Sequence, residues 1–362
     1  MLSSLNVFIG DIEIQTIKIK SFLTSLMIDF LIKLMEIEST SGMEGPISNY
    51  IAENYKPAGA VLEIQKIDNV LKNLFYTWGK PEIIFCSHLD TVPPYIPPKI
   101  KDGIIYGRGS CDAKGQLVVL SQACEKLYAD GYTNFGLLMN CGEEVGSYGA
   151  IKANETIKGS RYCIVGEPTE NKLIKASKGN INVDVNFSGR SCHSGYPEHG
   201  DSAVNRMIKF VNSLDKMIER KAFPDDEILG GVTYNIGMLS SPNAHNVISD
   251  RVTMKIFFRT TFATHDMLMS ELEKIKDENT EIIENFRHSP VKFETFPGFE
   301  TGIVSYGTDA PSMPNLGKMI LYGPGSILDA HTHNEHIKVK DMEKAVDDLV
   351  KIYKCIIDSD KN

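Results

Sequence analysis

Between residues 82 and 167 short apolar runs alternate with stretches of helical pattern, and this alternation limits the possible folds more than any other feature of the chain. EIIFCSH (82–88) leads to the helix-patterned KGQLVVLSQACEKLYADG (114–131), then to NFGLLMNC (134–141), a helix after GSYGAI (146–151), and YCIVGE (162–167). The apolar runs have the length of buried strands, and the helices between them supply the crossovers that parallel strands require. The expectation is an α/β domain with a mainly parallel sheet. Two helices precede it: MIDFLIKLMEIEST (27–40), apolar at helical spacing, and SGMEGPISNYIAENY (41–55), where Ser41 and Glu44 stand at capping-box spacing.

The pattern changes near Ser177. KGNINVDVNFSGR (178–190) alternates with period two, DSAVNRMIKFVNSLDKMIERK (201–221) is an amphipathic helix, and VTYNIGMLS (232–240) and RVTMKIFFRTT (251–261) read as strands. HDMLMSELEKIKDE (265–278) reads as a helix and VKFETF (291–296) as a strand. That order is β-α-β-β-α-β, a ferredoxin-like unit inserted into the first domain. The expected division is 1–176 for the first part of the catalytic domain, 177–297 for the insertion and 298–362 for the second part, which ends in the helix DMEKAVDDLVKIYKCIIDS. Residues 1–24 read as a possible extension ahead of the first helical pattern.

A formal charge of −9 argues against nucleic acid or an anionic membrane as the main partner, because both need clustered Lys and Arg. The seven cysteines are odd in number and mostly set in apolar runs, which suits free thiols in a reducing compartment and a cytoplasmic location. No apolar run has the length of a membrane span, and the N-terminus lacks the pattern of a signal peptide. A small molecule is the expected ligand.

In an open α/β sheet, ligands gather where the carboxyl ends of the strands emerge. The polar residues behind the apolar runs are His88 and Asp90, Asp112 in YGRGSCDAKG, Glu143 and Glu144 in LLMNCGEEVGS, and Glu167 in YCIVGEPTE, joined by His331, His333 and His336 in DAHTHNEHI. Each has an ordinary explanation taken alone. A histidine after a strand is commonly a hydrogen-bonded structural residue; an aspartate between glycines belongs in a turn; paired glutamates favour a helix N-terminus. Together they collect more negative charge than one cleft tolerates without divalent cations.

The motifs SHLDTVPP, GRGSCDAKG, GEEVGSYGA, VGEPT, CHSGYPEHG and AHTHNEHI occur in an order and spacing that resembles the zinc-dependent amidohydrolases that include acetylornithine deacetylase, succinyl-diaminopimelate desuccinylase, glutamate carboxypeptidase and the aminoacylases. The resemblance covers roughly residues 27 to 355 and implies a zinc-hydrolase catalytic domain with an inserted dimerisation domain. It further implies two divalent metal ions, with His88 and Glu167 on one, Glu144 and His331 on the other, and Asp112 between them. Zinc is the expected metal; cobalt and manganese take similar N/O sites. His333 competes with His331 for the last ligand position, and the family pattern selects His331. Asp90 would accept a hydrogen bond from the far nitrogen of His88 and aim the ring. The peptide after Asp112 would be cis. Glu143 would be the general base.

The resemblance also implies that His193 reaches the active site of the opposite subunit of a homodimer and steadies the tetrahedral oxyanion. Asn246 and Arg259 would bind the substrate's carboxylate, for which a guanidinium is well shaped; a surface salt bridge is the plainer reading of Arg259. Gly307 and Thr308 in YGTDAP and Gly323 in GPG match loops near the substrate, although glycine also serves wherever positive φ is needed. The implied activity is hydrolysis of an N-acyl amino acid, with acetylornithine deacetylase of arginine biosynthesis (or action on an N-acetylcitrulline or N-succinyl analogue) ahead of succinyl-diaminopimelate desuccinylase and of a metallo-dipeptidase or carboxypeptidase. An inactive binding protein is disfavoured because the base and all five ligands are present.

Overall fold

The computed structural model describes residues 21–359. The N-terminal extension expected at 1–24 lies outside the described residues up to residue 20; residues 21–35 form a helix whose buried Met27, Leu31, Leu34 and Met35 recur at helical spacing. The chain divides into two compact units, one made of the residues up to Ile174 with Phe293–Gly302 and everything from Thr308, the other of Lys175–Lys292 with Ile303–Gly307.

The first unit is built on a six-stranded sheet in the order Val61–Lys66, Lys72–Gly79, Asn134–Asn140, Ile83–His88, Tyr162–Val165, Lys318–Leu321. The last four run parallel and the first two antiparallel, so the sheet is mainly parallel. Every residue of Ile83–His88 is buried, which is why that strand reads as a continuous apolar run rather than an alternating one. Helices Lys114–Ala129 and Val339–Ser359 join the sheet residues in one core; the second helix contributes Met342, Ala345, Leu349, Ile352, Tyr353 and Ile356, an apolar stripe spaced three and four apart. Because the four parallel strands point the same way, the residues that follow His88, Asn140, Val165 and Leu321 emerge along one edge of the sheet.

The second unit is a four-stranded antiparallel sheet in the order Thr233–Ser240, Arg251–Thr260, Gly179–Ser188, Thr280–His288, with helices Ala203–Glu219 and Leu268–Glu273 contributing to its core. The β-α-β-β-α-β order is present, but its last strand is Thr280–His288 and not VKFETF, of which only Val291–Lys292 is strand. Asp277 makes the turn into the strand: its carboxylate accepts the Asn279 N–H (3.2 Å) and the Thr280 hydroxyl (2.7 Å). Among the described residues the strand pairs only with Gly179–Ser188, and it carries Glu281, Glu284 and Arg287, which hide it from a hydrophobic pattern. At Phe293 the chain returns to the first unit, which it leaves again only for Ile303–Gly307. The Glu294 N–H donates to the Met319 carbonyl (2.8 Å), and Phe296 and Phe299 pack on the first core.

Candidate metal and catalytic site

His88 closes the central strand, and its two ring nitrogens face in different directions. Nδ1 donates to the backbone carbonyl of Asp90 (3.0 Å), while Nε2 lies 3.1 Å from Asp112 Oδ1 and 4.0 Å from Glu167 Oε1. His331 Nε2 lies 3.2 Å from the other oxygen of Asp112 and 3.0 Å from Glu144 Oε1. Asp112 therefore presents one carboxylate oxygen to each of two histidines. The donor atoms of His88, Asp112 and Glu144 fall within 4.8 Å of one another, a group that can hold a metal ion. Imidazole nitrogen and carboxylate oxygen are the donors that zinc and its first-row neighbours take. The Asp112–Ala113 peptide is cis. Of the competing histidines, only His331 reaches this cluster; His333 is exposed, and His336 Nδ1 turns to the Asn334 carbonyl (2.9 Å).

The charges explain why the cluster calls for a cation. Burial, with the charge of Asp112 second, pushes the Glu167 carboxyl well above its usual range. Burial does the same to Glu143, reinforced by Asp309, Glu167 and Glu144 and opposed by His88. The histidine pKa values rise as well, which keeps the rings charged: burial disfavours a charged His88, but Asp112 and Asp90 outweigh it and hold its pKa well above the normal value. Hydrogen bonds to Asp112 and Glu144 raise His331 to about 10. Protons are thus doing the neutralising among groups whose geometry suits a divalent ion, and the residues present fit such an ion.

Asp90 differs from its expected part. The nearer partner of His88 is the Asp90 backbone carbonyl, with the carboxylate Oδ1 at 3.5 Å. The carboxylate instead accepts the N–H of Glu143 on Oδ1 (3.0 Å), and the N–H of Glu144 (3.1 Å) and the hydroxyl of Ser41 (2.8 Å) on Oδ2. Glu44 accepts the preceding N–H, that of Gly142, at 3.0 Å. Three consecutive N–H groups ahead of and within the short helix Glu143–Gly146 are therefore held by two buried carboxylates, with Gly142 supplying the positive φ (69°) that turns them to one side. Ser41 and Glu44 do not form the capping box their spacing announces; Gly45–Asn54 starts with no side-chain cap and with Pro46 in its first turn. Their polar atoms go to the site instead. Among the described residues no hydrogen bond reaches the Glu143 carboxylate, so beside the ligand cluster it is the group free to take a proton.

The remaining nominated residues have the following local settings. Thr308 is buried and its hydroxyl accepts the Ala310 N–H (3.2 Å), closing a turn. Gly323 is buried against the back of Glu167: an added Cβ would sit 2.6 Å from the Glu167 carbonyl and 2.1 Å from Gln116 Oε1, so close approach accounts for this glycine. His193, Asn246, Arg259 and Gly307 belong to the second unit. There the His193 loop pairs with the Asn246 loop, a bridge joining His193 to Val247 and the Ser194 N–H donating to the Asn246 carbonyl (3.0 Å). Arg259 lies 4.7 Å over the Phe257 ring, in a pocket of about 450 Å³ that Thr233, Tyr234 and Asn235 complete. It makes no ion pair among the described residues, and burial lowers its pKa. Gly307 stands beside Asn180, which is cross-strand from Arg259.

Asp309 ends the Gly307–Asp309 part of YGTDAP that resembles a loop near the substrate, but it carries no role of its own in the sequence reading. It is buried, accepts a hydrogen bond from Asn140 (2.9 Å), and burial raises its pKa to about 6. A lone aspartate in a loop carries no sequence signal for burial, and its partner here, the strand residue Asn140, is 169 positions away.

A family model described as peptidase family M20/M25/M40 matches residues 84–354. A peptidase M20 domain-containing protein of Schizosaccharomyces pombe is 32% identical over 318 residues, covering 84% of this chain and 78% of that protein. A probable carboxypeptidase of Emericella nidulans is 31% identical over 361 residues, covering 86% and 85%. A tripeptidase of Staphylococcus aureus superposes with a TM-score of 0.77 at 19% identity, covering 92% of this chain and 98% of that one, a likeness of fold. With the match spanning most of the chain, the protein belongs to the M20/M25/M40 peptidase family.

Proposed function

We propose that the protein hydrolyses an amide bond in a small substrate that carries a free carboxylate, using two divalent metal ions, most suitably zinc. One observation carries the reading: Asp112 offers a separate oxygen to His88 and to His331 (3.1 and 3.2 Å), with the uncommitted Glu143 next to Glu144. His88 and Glu167 would hold one ion, Glu144 and His331 the other, and Asp112 both. Such a pair supplies a Lewis acid for the carbonyl and lowers the pKa of water. Glu143 takes the proton of the attacking water at its carboxylate and passes it to the departing nitrogen as the C–N bond breaks. The Asp90 backbone carbonyl fixes the His88 tautomer, and the Asp90 carboxylate fixes the turn that carries base and ligand. Arg259 recognises the substrate carboxylate, supported by its lack of an internal counter-ion, and Asn246 and His193 act beside it. His193 serves the partner's site in a homodimer. A cytoplasmic location accords with seven cysteines that form no disulfide.

Two finer readings share this chemistry. The deacylase form is acetylornithine deacetylase, or action on N-acetylcitrulline or an N-succinyl analogue. The peptidase form is a metallo-carboxypeptidase or dipeptidase, favoured by relatives described as probable carboxypeptidases. Assaying the zinc-loaded protein against acetylornithine, acetylcitrulline, succinylornithine, succinyl-diaminopimelate and dipeptides, each dipeptide also as its C-terminal amide, separates them. Turnover of free dipeptides but not their amides supports the peptidase form, and turnover of the acylated amino acids alone supports the deacylase form. A fully metal-loaded protein that cleaves none of these sinks both.

A further inference from the structure

The loop that delivers Asp112 is wrapped around a single buried side chain, that of Glu335. Its Oε1 accepts the N–H groups of Cys111 and Asp112, both at 3.1 Å, and its Oε2 pairs with Arg108 Nη1 at 2.5 Å. Its backbone carbonyl takes the Gly107 N–H (2.9 Å). Arg108 reaches on to the Pro94 carbonyl (3.3 Å), and Gln116 holds the carbonyl of Cys111 (2.9 Å), so the peptide ahead of Asp112 is gripped at both ends. Glu335 and Arg108 are 1% and 2% exposed, and an ion pair that far from water is retained at a desolvation cost which a plain packing role does not require. Glu335 also lies four residues after His331. One short segment thus provides a histidine facing Asp112 and the carboxylate that sets the Asp112 backbone.

We propose that Glu335 is a positioning residue for the metal site: by holding the Cys111 and Asp112 N–H groups it fixes where the Asp112 carboxylate stands between His88 and His331, and Arg108, bonded to its other oxygen, holds the Glu335 carboxylate in place. This rests on the reading of Asp112 as a metal ligand. Hydrogen-bonding partners behind a ligand are worth about 10–100-fold in metal affinity.

Two variants separate positioning from stability. Glu335→Gln keeps an oxygen for the two N–H groups but leaves Arg108 without a counter-charge; Glu335→Asp keeps the charge but withdraws the oxygen by one methylene. Zinc affinity is measured by competition with a chromogenic chelator, and melting temperature on the metal-free proteins. The expected result is a crossing: Glu335→Gln melts lower than Glu335→Asp, yet binds zinc within about threefold of wild type, while Glu335→Asp binds about 10–100-fold more weakly. Zinc affinity that follows melting temperature, or wild-type affinity in both variants, overturns the proposal. Should Glu335→Gln not fold, the double variant Arg108→Met/Glu335→Met removes both charges: weakened zinc binding in a folded double variant supports the proposal, and wild-type binding overturns it. A wild-type protein that takes up no zinc overturns the metal-site reading itself, a result distinct from variants that bind as wild type does.

Discussion

Ser41 donates its hydroxyl to Asp90 Oδ2 across 2.8 Å, although the two residues are 49 positions apart in the chain. With the Glu143 and Glu144 N–H groups on the same carboxylate, Asp90 becomes an acceptor of three hydrogen bonds, and despite its burial its pKa is lowered, by the neighbouring His88 first and then by bonds of this kind from Ser41 and Glu143. An amide at this position turns one acceptor into a donor that faces an N–H. Asp90→Asn should therefore weaken divalent metal binding by about 10–100-fold, whereas Ser41→Ala, which loses one bond of about 1 kcal/mol, should change it little. Metal titration of the two purified variants checks the contrast; equal effects would remove the special place given to the carboxylate.

Glu143→Gln keeps the shape of the side chain and the N–H bonded to Asp90, but cannot accept a proton. The expected outcome is kcat lowered by about 10²–10⁴ with metal content unchanged. Metal analysis paired with steady-state kinetics decides it, and a Gln variant of full activity would rule Glu143 out as the base.

Glu44 gives a pH signature in stability rather than in turnover. Burial first, and then the charge of Asp90, raises its pKa from 4.5 to about 7. The folded form therefore binds this proton more tightly than the unfolded chain does, so the contribution is fully present below pH 4.5 and is lost as pH rises through 7. The loss is on the order of 3 kcal/mol. Glu44→Gln, whose amide oxygen still accepts the Gly142 N–H, should lack this decline. Urea unfolding of wild type and variant at pH 5 and pH 8 measures it; parallel changes in the two proteins would assign the titration elsewhere.

For His193 the question is which subunit it serves. Loss of an oxyanion donor should lower kcat by about 10²–10³ in His193→Ala. If His193 acts on the partner, mixing inactive His193→Ala with inactive Glu143→Gln and allowing subunits to exchange restores one complete site in each mixed dimer, about a quarter of wild-type activity on random pairing. If it acts on its own chain, mixing restores nothing. Sedimentation of the mixture confirms that dimers are present in either case.

The parallel layer was readable because Ile83–His88 and its neighbours are buried on both faces and so leave continuous apolar runs, each ending where a polar residue had to be explained. His88, Asp112 and Glu144, nominated from that pattern, and His331, selected over His333 by the family resemblance, lie within hydrogen-bond distance of one another in a chain of contacts. What stayed hidden depends on long-range pairing. Glu335 sits in the same DAHTHNEHI stretch that drew attention to its histidines, yet its partners are more than 220 positions away. Ser41 and Glu44 carried a local signal, the capping box, that competed with their distant partners and was the wrong one. Thr280–His288 escaped because Glu281, Glu284 and Arg287 interrupt its apolar residues and its register shifts between Glu284 and Phe286, so no period-two pattern runs through it.

The cluster around Asp112 joins side chains from residue 88 to residue 331, with the whole second unit threaded between Glu167 and His331. A nascent or proteolysed chain that stops short of residue 331 would hold His88, Asp112, Glu143, Glu144 and Glu167 but neither the histidine that meets Glu144 nor the carboxylate that grips the Asp112 loop. Hydrolytic capacity would then arrive only with the last tenth of synthesis, once the second unit has been made and while the first is being completed.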